Sequence, residues 1–102
     1  MNTIELELDE TGKGSFFIED NGKRVAEMVV AVAGTNLTVY HTEVSEVLQG
    51  QGVSKDLLAA MVKYARDHQL KVIPLCRFVN AQFRRNPEQY ADVWNRDWHS
   101  GS

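Results

Sequence analysis

The feature that most constrains the fold is a change of hydrophobic period between Val44 and Val53. Before it, apolar and polar residues alternate; after it, apolar residues recur at helical spacing. Ile4, Leu6 and Leu8 alternate with Glu5, Glu7 and Asp9, the pattern of a half-buried strand. Thr11 to Gly14 make a turn, and Ser15 to Asp20 predict a second strand. Asn21-Gly22 is a strong hairpin signal, because a tight hairpin turn needs positive φ at both central residues. Lys23 to Ala33 predict a long third strand and Gly34-Thr35-Asn36 a further turn. Leu37 to Val44 predict a fourth strand, with Leu37, Val39, His41 and Glu43 expected on one face.

Beyond the change of period, Val53, Leu57, Ala60, Met61 and Tyr64 form one stripe of an amphipathic helix of about Gly52 to His68. Lys55, Lys63, Arg66 and Asp67 occupy its other side. Leu70 to Leu75 predict a fifth strand. A helix separates it from the fourth, so the two should be parallel, joined by a right-handed crossover. Cys76 to Arg85 predict a second helix, and Pro87 is expected to open a short final helix through Trp94, as a first-turn proline does. The expected class is α+β: four antiparallel strands, a fifth parallel to the fourth, a helix crossover and C-terminal helices.

With 102 residues there is room for one domain, expected over residues 1–94 with a flexible tail at 95–102. Apolar residues at 43% and charged residues at 25% fit a packed globular chain and argue against disorder. The net charge of −3 argues against nucleic acid as a general partner. The longest apolar run, Met28 to Ala33, is too short to cross a bilayer, so no membrane partner is expected. The start lacks the basic-then-apolar pattern of a signal peptide. Cys76 is the only cysteine, so no internal disulfide forms and a reducing cytoplasm is the expected location. His68 and His99 lack partners at metal-ligand spacing, and no metal site is expected. Tyr90, Trp94 and Trp98 are expected to pack or anchor the C-terminus rather than form a site. The expected assembly is a monomer or a weak dimer.

The sharpest chemical feature is Gln49-Gly50-Gln51-Gly52-Val53-Ser54-Lys55, two glycines between a strand and a helix. Glycine permits a tight turn and close approach of backbone to a ligand. A helix start leaves N–H groups unpaired at the positive end of its dipole, a natural phosphate site. Ser54 and Lys55 add a hydroxyl and a charge. Without a ligand, the same segment would be an ordinary loop and helix start.

This turn resembles motif A of the GNAT superfamily of acyl-CoA N-acyltransferases: Gln49 fits its first position and Gly52 its fourth, with Ser54 departing at the sixth. A minimal group of short GNAT-like proteins is more similar still, through His41-Thr42-Glu43-Val44, Gly50-Gln51-Gly52-Val53, Ile73-Pro74-Leu75-Cys76 and Asn86-Pro87-Glu88 with Tyr90 nearby. Arg77 and Asn86 stand where that group usually has proline and histidine. The resemblance implies the GNAT fold and acetyl-CoA (coenzyme A) as cofactor. The pyrophosphate would lie on the amides of Gln51 to Lys55, with Val44, Gln49 and Gly50 beside it. Asn80 resembles the motif B asparagine near the pantetheine arm, and Arg84 would reach a phosphate or simply face solvent. Pro74, which cannot donate to a sheet ladder, would sit either on an edge or beside the gap that the GNAT fold opens between its fourth and fifth strands.

The resemblance further implies transfer of an acyl group, expected to be acetyl from acetyl-CoA, to an amine acceptor, with a protein among the candidates. The rival is a CoA-binding module without turnover. His41 and Cys76 are expected to meet near the thioester. In a direct route His41 or Glu43 takes the amine proton; in a covalent route Cys76 is acylated first. Cys76 could equally be a small buried hydrophobe. Larger GNAT proteins place helices between their first two strands. Asp9 to Gly14 cannot hold them, so an open acceptor side is expected, suited to a large acceptor.

Overall fold

The computed structural model describes residues 3–97. Five strands and two helices follow in the order β1 (Glu5–Leu8), β2 (Lys13–Asp20), β3 (Lys23–Ala33), β4 (Asn36–Val44), α1 (Val53–Asp67), β5 (Lys71–Pro74) and α2 (Arg77–Arg85), with a single 3-10 turn at Glu46–Leu48. The sheet order is β1-β2-β3-β4-β5. The first four strands are antiparallel neighbours, and β4 runs parallel to β5. Each strand starts or ends within about two residues of its expected boundary.

Local chemistry explains the turns. Asn21 and Gly22 have φ of 53° and 80°, the left-handed pair the hairpin between β2 and β3 requires. Between β1 and β2, Asp9 accepts from the amides of Thr11 and Lys13 and from the Thr11 hydroxyl. Those bonds hold its carboxyl below the ordinary range, the Thr11 side-chain bond first among them.

Both helices pack on one face of the sheet. Phe16, Ile18, Ala26, Met28, Val30, Leu37 and Val39 meet Leu57, Met61 and Ala65 of α1 and Val79 and Phe83 of α2 in one cluster. The opposite face carries no helix among the described residues. There Arg24 lies over the Phe17 ring, 3.9 Å from its centroid, and bonds Ser15, Glu7 and Glu27.

The C-terminal segment departs from expectation. Residues 87–93 form turns rather than a helix. The Val72 amide donates to the Val93 carbonyl at 2.6 Å and the Asn95 amide donates to the Val72 carbonyl at 2.9 Å, so the segment is drawn out along the free edge of β5. Tertiary pairing with that edge overrides the local signal of Pro87. Phe83 stacks on Tyr90 at 4.5 Å and meets Trp94 edge-on at 5.7 Å, so Tyr90 and Trp94 are packing residues. The Asn95 side chain also bonds Asn36, so the chain is still attached one residue beyond the expected domain end at 94. Trp98 and His99 lie outside the described residues, as does the rest of the expected tail from residue 98 on.

Arg66 of α1 ties this segment down through both carboxylate oxygens of Asp92 and the Gln89 carbonyl. The bond from Arg66 holds the Asp92 carboxyl below its ordinary value. Both side chains are well exposed, so Arg66→Ala is expected to cost about 1 kcal/mol or less. A carboxylate whose folded pKa is lowered stabilises above its unfolded pKa and loses that contribution as pH falls through the folded one. The stability gap between wild type and Asp92→Asn should therefore shrink as pH drops below about 4, read by denaturant titration at several pH values.

Candidate active site: a glycine turn and a parted pair of strands

β4 and β5 pair only from Asn36↔Lys71 to Val39↔Pro74. There β5 ends, and Pro74 takes its last pairing position. One residue further along β4, Tyr40 is an extra residue: Val30 pairs with Val39 but Val29 with His41. A bulge bends the strand that carries it, and this one falls one residue past the last β4–β5 pair. The Cys76 amide donates to the Val39 carbonyl at 2.9 Å and closes the inner end of the resulting gap.

The bulge also corrects the expected face of β4. Leu37 and Val39 point into the helix-covered core, and simple alternation would put His41 and Glu43 beside them. The extra residue reverses the phase. Thr42, opposite the buried Met28, turns toward the helices, while His41 and Glu43 turn to the open face, opposite Val29 and Glu27. The structure therefore does not bring His41 to Cys76. The Cys76 sulfur meets the Thr42 hydroxyl at 3.5 Å. His41 Nε2 instead lies 3.8 Å from Glu43 Oε1, with the imidazole 54% exposed. Thr42 is the residue that sequence reasoning missed; its signal is hidden because a bulge leaves no compositional mark.

Cys76 precedes α2 as its N-cap, gives no side-chain cap, and is only 4% exposed within the core cluster. It is expected to resist iodoacetamide in the folded protein and to react fully once denaturant unfolds it, as followed by mass spectrometry. Fast alkylation of the folded protein would show instead that the gap opens to solvent.

At the far end of β4, the expected phosphate turn is formed. Gly50 and Gly52 have φ of 84° and 75°. Gly52 caps α1 with no side chain to satisfy the helix start, and the first helical return bond is from the Asp56 amide to the Gly52 carbonyl. The amides of Val53, Ser54 and Lys55 are thus left for a ligand. Gln49 and Gln51 spend their side chains on the turn itself, donating to the carbonyls of Val44 and Val47 at 3.4 and 3.2 Å. A groove of about 280 Å³ runs over the turn, lined by Val44, Leu48, Gly50, Val53, Lys55 and Phe78. It joins the glycine turn to Val44 at the end of β4, beyond the last β4–β5 pair.

Asn80 and Arg84 are elsewhere. The Asn80 amide donates to the Pro74 carbonyl at 3.3 Å, and Arg84 donates to Asn80 at 2.8 Å. Phe78, which faces the glycine turn, lies nearly half a helical turn from Asn80 around α2. Asn80 and Arg84 therefore line a separate groove beyond β5.

A mixed sheet whose parallel pair parts beside an uncapped glycine helix start is the architecture of the GNAT class of N-acyltransferases. The family model described as GCN5-related N-acetyl-transferase matches residues 15–93. A GCN5-like protein from Staphylococcus aureus, solved in solution, is 32% identical; the match covers 98% of this chain and 100% of that one, with a TM-score of 0.66. The ribosomal-protein-alanine N-acetyltransferase of Brucella melitensis biovar Abortus 2308 shares the fold at 18% identity, with a TM-score of 0.61 and coverage of 92% of this chain and 72% of that one. No curated protein sequence matches. The chain belongs to the GCN5-related N-acetyltransferase family. No helix among the described residues is long and apolar enough to cross a membrane.

Proposed function

We propose that this protein transfers an acetyl group from acetyl-CoA to an amine presented on the open face of the sheet. The observation that carries the reading is the uncapped turn at Gly52 to Lys55, whose groove reaches Val44 at the end of β4, past the last β4–β5 pair. The turn fits a pyrophosphate on chemistry alone: three unpaired amides at the positive end of a 15-residue helix, with the Lys55 ammonium adjacent. Val44 and Phe78 supply an apolar wall for the uncharged arm.

The thioester supplies an activated acyl carbon, so the amine displaces the thiol: a carbon–nitrogen bond forms, the carbon–sulfur bond breaks, and the amine proton must leave. His41 and Glu43 stand together on the open face, where an acceptor approaches. His41 takes the proton, directly or through water, and Glu43 steadies the imidazolium that results. Cys76, on the opposite side and buried, lines the gap without taking the acyl group. The short Asp9 to Lys13 turn leaves the acceptor side unwalled, which suits an amine on a large molecule.

The second reading, a CoA-binding module without turnover, draws support from the exposure of His41, which leaves its imidazole loosely held. Release of free CoA thiol from acetyl-CoA on adding amine-bearing peptides separates the two. The transfer reading expects turnover in the wild-type protein and a sharp fall in His41→Ala. Binding of acetyl-CoA with no thiol release above the protein-free rate would support the module instead.

A further inference from the structure

Among the described residues a groove of about 680 Å³, more than twice the volume of the one over the glycine turn, lies apart from it. It lies beyond β5, between α2 and the C-terminal segment, and is lined by Pro74, Leu75, Trp94 and the three arginines Arg77, Arg84 and Arg96. Among the described residues no carboxylate lines it, in a chain whose net charge is −3. Arg24 and Arg66 each bridge to acidic side chains, yet among the described residues none of these three arginines does. Two of the three are held in place by neighbours. Arg84 is fixed by Asn80, itself bonded to the Pro74 carbonyl, and Arg96 lies 4.4 Å over the Trp94 ring.

From this groove we infer that the protein binds an acidic peptide segment. Concentrated guanidinium groups without counter-charge favour carboxylates, which their planar forks match in pairs. The Trp94 ring and the half-exposed Leu75 offer the apolar contacts a peptide chain uses beside the charged groups. The groove ends at Pro74 and Leu75, where β5 stops and the gap toward β4 begins. A segment held there would carry its amine to the transfer site, so the acceptor is an acidic peptide or protein. That last step rests on the acetyl-transfer reading; the binding itself does not.

The probe is a synthetic peptide with an N-terminal alanine followed by glutamates, compared with its glutamine counterpart. Calorimetry should show the glutamate peptide binding the wild-type protein, with affinity falling as salt is raised. The Trp94 indole N–H resonance, assigned through Trp94→Phe, should shift on binding. Arg77→Gln/Arg84→Gln/Arg96→Gln should weaken the glutamate peptide by about tenfold or more while leaving acetyl-CoA affinity unchanged. Single Arg96→Gln, at an exposed position, gives a smaller loss and guards against a misfolded triple variant. Equal binding of the glutamine peptide, or full glutamate binding by the triple variant, would overturn the assignment. A triple variant that loses acetyl-CoA rather than peptide would also overturn it and give the groove to the nucleotide. Acetylation of the two peptides is the separate arm: binding without turnover removes the transfer reading and leaves the peptide site standing.

Discussion

Gly52→Val is expected to weaken acetyl-CoA binding roughly a hundredfold, the effect of losing one or two charge-assisted hydrogen bonds from backbone to phosphate. The reason is conformational rather than steric crowding within the protein. A Cβ at Gly52 would meet nothing within 4 Å, but the residue holds φ at 75°. A β-branched side chain there is strained by about 1–2 kcal/mol. The turn relieves that strain by rotating, and rotation turns the amides of Val53 and Ser54 away from a common point. The new side chain would also stand where a ligand needs to touch backbone. Calorimetry of the folded variant reads the effect. Gly52→Ala should fall between the two, because it carries the φ penalty with less bulk.

Phe83→Ala is expected to lower stability by about 3–5 kcal/mol, the range for emptying a buried aromatic site. Phe83 is fully buried and is the largest such side chain in the fold. It is also the joint between three parts: α2 that carries it, the sheet beneath, and the C-terminal segment through Tyr90 and Trp94. A domain of this size commonly has about 5–15 kcal/mol in total, so the variant should melt about 15 °C lower or more. Hydrogen exchange should show the Asn95 amide, bonded to the Val72 carbonyl, losing protection before the β2–β3 pairs do.

The element order was legible because each segment carries its own local signal. Alternation marks β1, apolar runs rich in branched and aromatic residues mark β2 and β3, a 3.6-residue stripe marks α1, and Asn21-Gly22 needs no tertiary context. The start of α1 could be placed near Gly52 because the stripe begins at Val53. What was not legible depends on contacts between segments. The bulge at Tyr40 inserts one residue into β4 and exchanges the faces of Thr42 and His41, yet Tyr40-His41-Thr42 reads as ordinary strand. The rotation of α2 decides that Phe78, not Asn80, faces the glycine turn, and a nine-residue helix with few apolar positions fixes that angle only through packing. The segment after Pro87 has the marks of a helix start, but the unpaired edge of β5 claims Val93 and Asn95. The groove with three arginines has no motif because its residues come from α2 and from the segment that returns beside it.

The central claim is that the glycine turn and the parted strands form one acetyl-CoA site. A titration of the labelled protein with acetyl-CoA, followed residue by residue through its amide resonances, tests it most directly. The account predicts saturable shifts at Gly52, Val53, Ser54 and Lys55, together with shifts at Tyr40, Leu75 and Cys76 at the gap, all with one affinity. Saturation with shifts at only one of the two places, or no shift at either, would contradict it.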